Sequence, residues 1–168
     1  MPSICSLCKA LCCSTYTITV TSFDVLEIAQ KAKKRPESFA EIVPLRLLSF
    51  DNDTVLECYE KGQMHEHVLA LKSNPCIFLK GTTCMIHSFA PLVCRAYPYR
   101  SDGSMHPRAL CPLLPRILFK LKGMGISPNL IKQRTNAYKA IVRKWNRKKG
   151  KKEECLDFLL SESKKLMP

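Results

Sequence analysis

Ten of the 168 residues are cysteine, and where they stand constrains this chain more than any other feature. Four open it as C-x2-C-x3-C-C at Cys5, Cys8, Cys12 and Cys13. Four more, Cys76, Cys84, Cys94 and Cys111, follow at irregular gaps, and Cys58 and Cys155 stand apart. Two groups so far apart in sequence read as one site closed by folding. The opening residues, MPSICSLCKALCC, carry no positive charge ahead of the apolar positions and place cysteines where a secretory apolar region would be, so the expected location is the cytoplasm. There thiols stay free unless a metal or a redox cycle uses them. The cysteine density therefore points to metal or redox chemistry rather than to disulfides.

Two thiols at C-x2-C can grip one ion, because the short turn lets both sulfurs converge to about 2.3 Å from a metal such as zinc. Adjacent Cys12 and Cys13 are harder to satisfy with a single ion, since neighbouring side chains diverge. They suggest a polynuclear site, two sites sharing a wall, or one ligand beside one core thiol. Soft thiolates select zinc, copper(I) or iron–sulfur clusters. A zinc ribbon pairs one C-x2-C with another, which this chain lacks, and the irregular gaps of the second group lean toward a cluster.

Formal net charge is +13; eight metal-bound thiolates would bring the protein part to 13 − 8 = +5, so the excess partly offsets such a site. From Arg116 to Lys152 there are thirteen Lys or Arg and no Asp or Glu. That stretch reads either as a solvated helix that packs on the domain or as a surface for a polyanion, an acidic protein partner before nucleic acid, because no aromatic residue lies inside the run RKKGKK. No apolar run reaches the roughly 18 residues of a spanning helix, and no membrane partner is expected.

The elements read as α+β. TYTITVT alternates with a period of two and predicts a strand; Thr21 with Asp24 forms a capping box for a helix ending near Lys33 and Lys34. ESFAEIV reads as a second short helix entered by Pro36. LRLLSF, VLECY, HVLAL and CIFL read as strands, with Lys80-Gly81 turning CIFL back onto TCMIH so that Cys76 and Cys84 approach. Ser127-Pro128 opens a helix carrying Ile131, Tyr138, Ile141, Val142 and Trp145 at helical spacing, and a last helix from about Lys152 carries Leu156, Leu159 and Leu160. The expected organisation is a cysteine-rich metal-binding domain over residues 1–122 with a basic helical arm over 123–168.

The opening C-x2-C-x3-C-C, then CIFL…GTTCMIH, then PLVCRAYPY and a later cysteine resemble the YkgJ-like cysteine-cluster family, a zinc- or iron-chelating domain also found in the flagellin lysine N-methylase. The resemblance covers roughly residues 5–111. It implies Cys5, Cys8, Cys12, Cys13, Cys76, Cys84, Cys94 and Cys111 as metal ligands and an iron–sulfur cluster, four-iron four-sulfur before other forms, or zinc as cofactor. It implies an accessory or electron-transfer role, or protein-lysine methylation. His87 and Ala90-Pro91 depart from the tyrosine and the Arg-Pro pair that the family commonly has near these places. Metal-stabilised RNA binding is a third reading, from the basic stretch.

Arg95, beside Cys94, can donate to cluster sulfurs or form a structural ion pair. Pro98 shapes the backbone. His65 and His67 would share a strand face but read as solvated, and His87 as a surface residue. Cys58 and Cys155 lie outside the pattern and are expected to tolerate serine. The chain has no GxGxxG, P-loop, GxSxG or HExxH, and six glycines leave little material for a phosphate-cradling loop.

Overall fold

The computed structural model describes residues 9–45, 52–73, 75–100, 104–106, 109–123 and 125–167. Cys5, Cys8 and nearly all of LRLLSF lie outside them. Eleven elements follow in order: α1 (Leu11–Thr15), α2 (Ser22–Ala32), β1 (Ala40–Pro44), β2 (Leu56–Glu60), β3 (Gln63–Leu71), β4 (Leu79–Lys80), β5 (Thr83–Cys84), α3 (Leu92–Ala96), α4 (Leu113–Lys122), α5 (Pro128–Lys148) and α6 (Lys152–Lys164). The architecture is α+β.

β3 organises the sheet. Its nine residues pair antiparallel with β1 along one edge, Ala40 opposite Leu71, and with β2 along the other, Leu56 opposite His67. The β2–β3 turn uses Lys61 and Gly62 at φ 49° and 80°, the left-handed pair a two-residue hairpin requires. β2 covers only the first half of its edge of β3. The second half is taken by the extended segment before α2, through Val20 N–H to Leu69 O (3.0 Å) and Leu71 N–H to Ile18 O (2.9 Å). TYTITVT thus has the expected alternation, with Ile18 and Val20 buried, but forms only an isolated bridge, Thr19 with Ala70.

ESFAEIV is not a helix. A single 3-10 turn at Pro36–Ser38 leads into β1, where Ala40 and Ile42 are buried and Glu41 is exposed. The period of two prevailed because β3 offered that segment an edge to pair with.

α2 starts as its sequence dictates: the Thr21 hydroxyl accepts from Asp24 N–H, and Asp24 Oδ2 accepts from Thr21 N–H (2.9 Å). α5 and α6 enter the same core as α2 and the sheet. Tyr138, Ile141, Val142, Trp145, Leu159 and Leu160 cluster with Val25, Ile28, Phe39, Leu56, Leu69 and Leu71. Three polar ties cross this packing. The Ser22 and Ser163 hydroxyls share a buried bond of 2.6 Å. Asn146 accepts from Glu57 N–H and donates to Val55 O, each at 3.0 Å. Tyr59 N–H donates to Gly150 O. The core holds residues from both sides of residue 122.

Candidate metal centre

Each thiol is delivered by a different local device. Cys12 and Cys13 ride on α1, which follows two consecutive left-handed residues, Lys9 (φ 52°) and Ala10 (φ 54°). A side chain pays roughly 1–2 kcal/mol to sit there, so the C-x3-C spacer is strained where it enters the site. Cys76 is stitched to that helix by its N–H donating to Cys13 O at 2.8 Å. The β4–β5 hairpin, turning at Gly81 (φ 59°), sets Cys84 opposite Leu79. Cys94 sits in the middle of α3, whose first turn is held by Leu92 N–H donating 2.9 Å to Asp24 Oδ1. Asp24 is therefore both the helix cap the sequence shows and the post that positions Cys94, which no local pattern could reveal.

Five thiols share one neighbourhood this way. The Cys12 and Cys13 sulfurs are 3.9 Å apart, and a charge on Cys12 is felt by Cys76, Cys84 and Cys94. The hydrogen bond from Cys13 brings the Cys12 thiol down to about 7 against the resistance of burial, and the same bond, with burial and the neighbouring sulfurs, pushes Cys13 up. Burial, then the surrounding sulfurs, raises Cys76, Cys84 and most strongly Cys94. Crowded thiols held in low dielectric resist ionisation together, which is the condition a cation relieves. The charge of Cys111, just ahead of α4, reaches Tyr97, whose hydroxyl accepts from Leu110 N–H and whose ring meets Tyr16 edge-on at 6.4 Å. Tyr97 also feels Cys12.

Among the described residues no three His, Cys, Asp or Glu side chains converge closely enough to hold an ion as they stand. Two tests of chemistry nevertheless favour a thiophilic group. The donors are all sulfur, and Arg95, next to Cys94 on α3, keeps its Nε buried without a hydrogen-bond partner. That orphaned donor is what an added anionic acceptor such as a metal-bound sulfur would satisfy. Pro98 follows a cis peptide bond from Tyr97.

The other candidates lie elsewhere. His87 is exposed. His65 is exposed, but His67 is 4% exposed, its Nδ1 bonded to His65 O at 3.0 Å, and burial pushes its pKa down. It is a packed histidine, not a solvated one, because β1 and β2 flank it on both sides at that register. Cys58 and Cys155 are neighbours, both 0% exposed: the bond with Cys58, then burial, raises Cys155, and Cys58 is lowered by that same bond. The indole Nε1 of Trp145, also near Cys58, has no hydrogen bond of normal geometry.

Five cations of the basic stretch, all on α5, face acidic partners. Arg134 pairs with Glu27 on α2, Lys139 and Arg143 with Asp53, Lys144 with Glu162 on α6 and Lys148 with Glu154. These bonds fasten α5 to the rest of the chain with the very charges that make it basic.

The fold is a small α+β domain with cysteine thiols from α1, the β4–β5 hairpin and α3 in one neighbourhood. Residues 4–112 match the CxxCxxCC family, described as "putative zinc- or iron-chelating domain". The chain belongs to that family, with one residue more between its second and third cysteines than the family's name spells. No curated protein and no solved structure matches it.

Proposed function

We propose that the protein holds an iron–sulfur cluster, or zinc in its place, through Cys5, Cys8, Cys12, Cys13, Cys76, Cys84, Cys94 and Cys111, and serves as an accessory or electron-transfer module. The proximity of thiols from α1, the β4–β5 hairpin and α3, near enough for Cys76, Cys84 and Cys94 to feel a charge on Cys12, supports this reading. Cys12, at about 7, is the thiolate available first; Cys13, Cys76, Cys84 and Cys94 give up protons as they bind, so loading releases protons and strengthens with pH. Arg95 Nε, buried without a partner, would donate to a sulfur of the bound group and tune its charge. When bound, a cluster supplies one-electron chemistry and zinc a rigid cross-link.

Anaerobic purification followed by metal and acid-labile sulfide analysis tests the proposal. Iron with matching sulfide is the expected result, and zinc without sulfide selects the other ion. Neither metal bound at stoichiometric level would refute it.

A further inference from the structure

α4 turns its apolar side outward. Leu113, Ile117 and Leu121 recur every four residues, with Leu114 beside them, and are 75%, 45%, 79% and 59% exposed respectively. The opposite side meets the protein: Pro115 is buried, and the Phe119 carbonyl accepts from the Tyr99 hydroxyl. Arg116 and Lys120 flank the apolar stripe on one side. No acidic residue occurs in the sequence from Gly103 to Lys152, and the whole chain carries +13.

We propose that α4 is an interfacial helix that docks the protein on an anionic lipid surface, lying in the plane of the headgroups with Leu113, Leu114, Ile117 and Leu121 in the acyl boundary. Three observations select this occupant. A second copy would bring like charge against like charge. The outward stripe is wholly aliphatic, with no polar atom among its four side chains to set register against a partner groove; a fluid apolar phase demands none. The exposed Lys120 beside the stripe complements acidic headgroups and lies at the level where a half-sunk helix presents it. Its ten residues are far too few to cross a bilayer, so such a helix lies on the surface and does not span it.

Flotation of the full chain with vesicles tests the proposal, comparing phosphatidylcholine alone with phosphatidylcholine containing one-third phosphatidylglycerol. Binding to the anionic vesicles is expected, weakened by salt, and at least about tenfold weaker in the Leu113→Ser/Leu121→Ser variant, which removes two large aliphatic side chains from the buried face. Both residues are exposed, so metal content and thermal unfolding of this variant should match the parent, and Lys120→Glu should reduce anionic binding without touching either. No flotation of the parent chain overturns the proposal, as does equal flotation of parent and double variant. Equal flotation with neutral vesicles overturns the anionic requirement. Absence of flotation together with retention on immobilised polyglutamate would assign the surface to an acidic protein instead.

Discussion

Removing the metal should cost this protein a definite amount of stability, because the site joins distant parts of the chain. Cys13 and Cys76 already meet through the backbone bond of 2.8 Å, and a metal held by α1 and the hairpin closes the loop between them. For a loop of about sixty residues the chain-entropy relation gives roughly 4 kcal/mol of denatured-state entropy removed by a permanent cross-link. Metal–thiolate bonds that exchange, or that persist within the denatured chain, contribute less, so about 4 kcal/mol is the ceiling for this closure. For a chain of this size each kcal/mol moves the midpoint by about 2–4 °C, placing the expected fall on chelation near 10 °C. Thermal unfolding followed by circular dichroism, before and after anaerobic chelation with metal loss confirmed by elemental analysis, reads it directly. The Cys76→Ser and Cys94→Ser variants should start near the stripped midpoint and lose little more on chelation. A loaded and a stripped protein that melt together would refute the claim that the site links α1 to the hairpin.

Other perturbations probe the scaffold. A Cβ at Gly150 would sit 2.3 Å from Cη2 of the fully buried Trp145, so Gly150→Ala should destabilise by about 1–3 kcal/mol in denaturant titrations, and Trp145→Phe in the same chain should return part of the loss. Cys58→Ser or Cys155→Ser should leave metal content intact yet cost about 1–3 kcal/mol, since a hydroxyl replaces a thiol at a wholly enclosed position; this reverses the tolerance expected from sequence, and Cys155→Ala should differ from serine in melting temperature. Burial lowers His67, so the unfolded chain takes up its proton first and stability falls as pH drops through about 6.5; His67→Gln should flatten midpoints measured between neutral and mildly acidic pH. Glu27 is held below its ordinary value by Lys31 and Arg134 in spite of burial, so its contribution should be present at neutral pH and vanish below the usual carboxylate range, a difference that Glu27→Gln melts at the two pH values would show.

The sequence determined what is local or stoichiometric. Eight spaced cysteines named the chemistry and the family. The Thr21–Asp24 box, the Lys61-Gly62 and Lys80-Gly81 turns, Ser127-Pro128 and the helical spacing from Tyr138 to Trp145 fixed elements whose cause lies within a few residues. Tertiary structure decided whatever depended on a partner far along the chain. ESFAEIV became β1 because β3 had an edge to fill, and TYTITVT was reduced to a bridge because β2 already occupied half of the other edge. His67 was buried by strands on both sides, and Asp24 gained a second task only when Leu92 arrived 68 residues later. The basic stretch shows the division most clearly. Composition counts its cations but cannot show that Glu27, Asp53, Glu154 and Glu162 pair with five of them, nor that the apolar side of α4 faces outward, because burial and pairing are properties of contacts, and contacts exist only once the chain has folded.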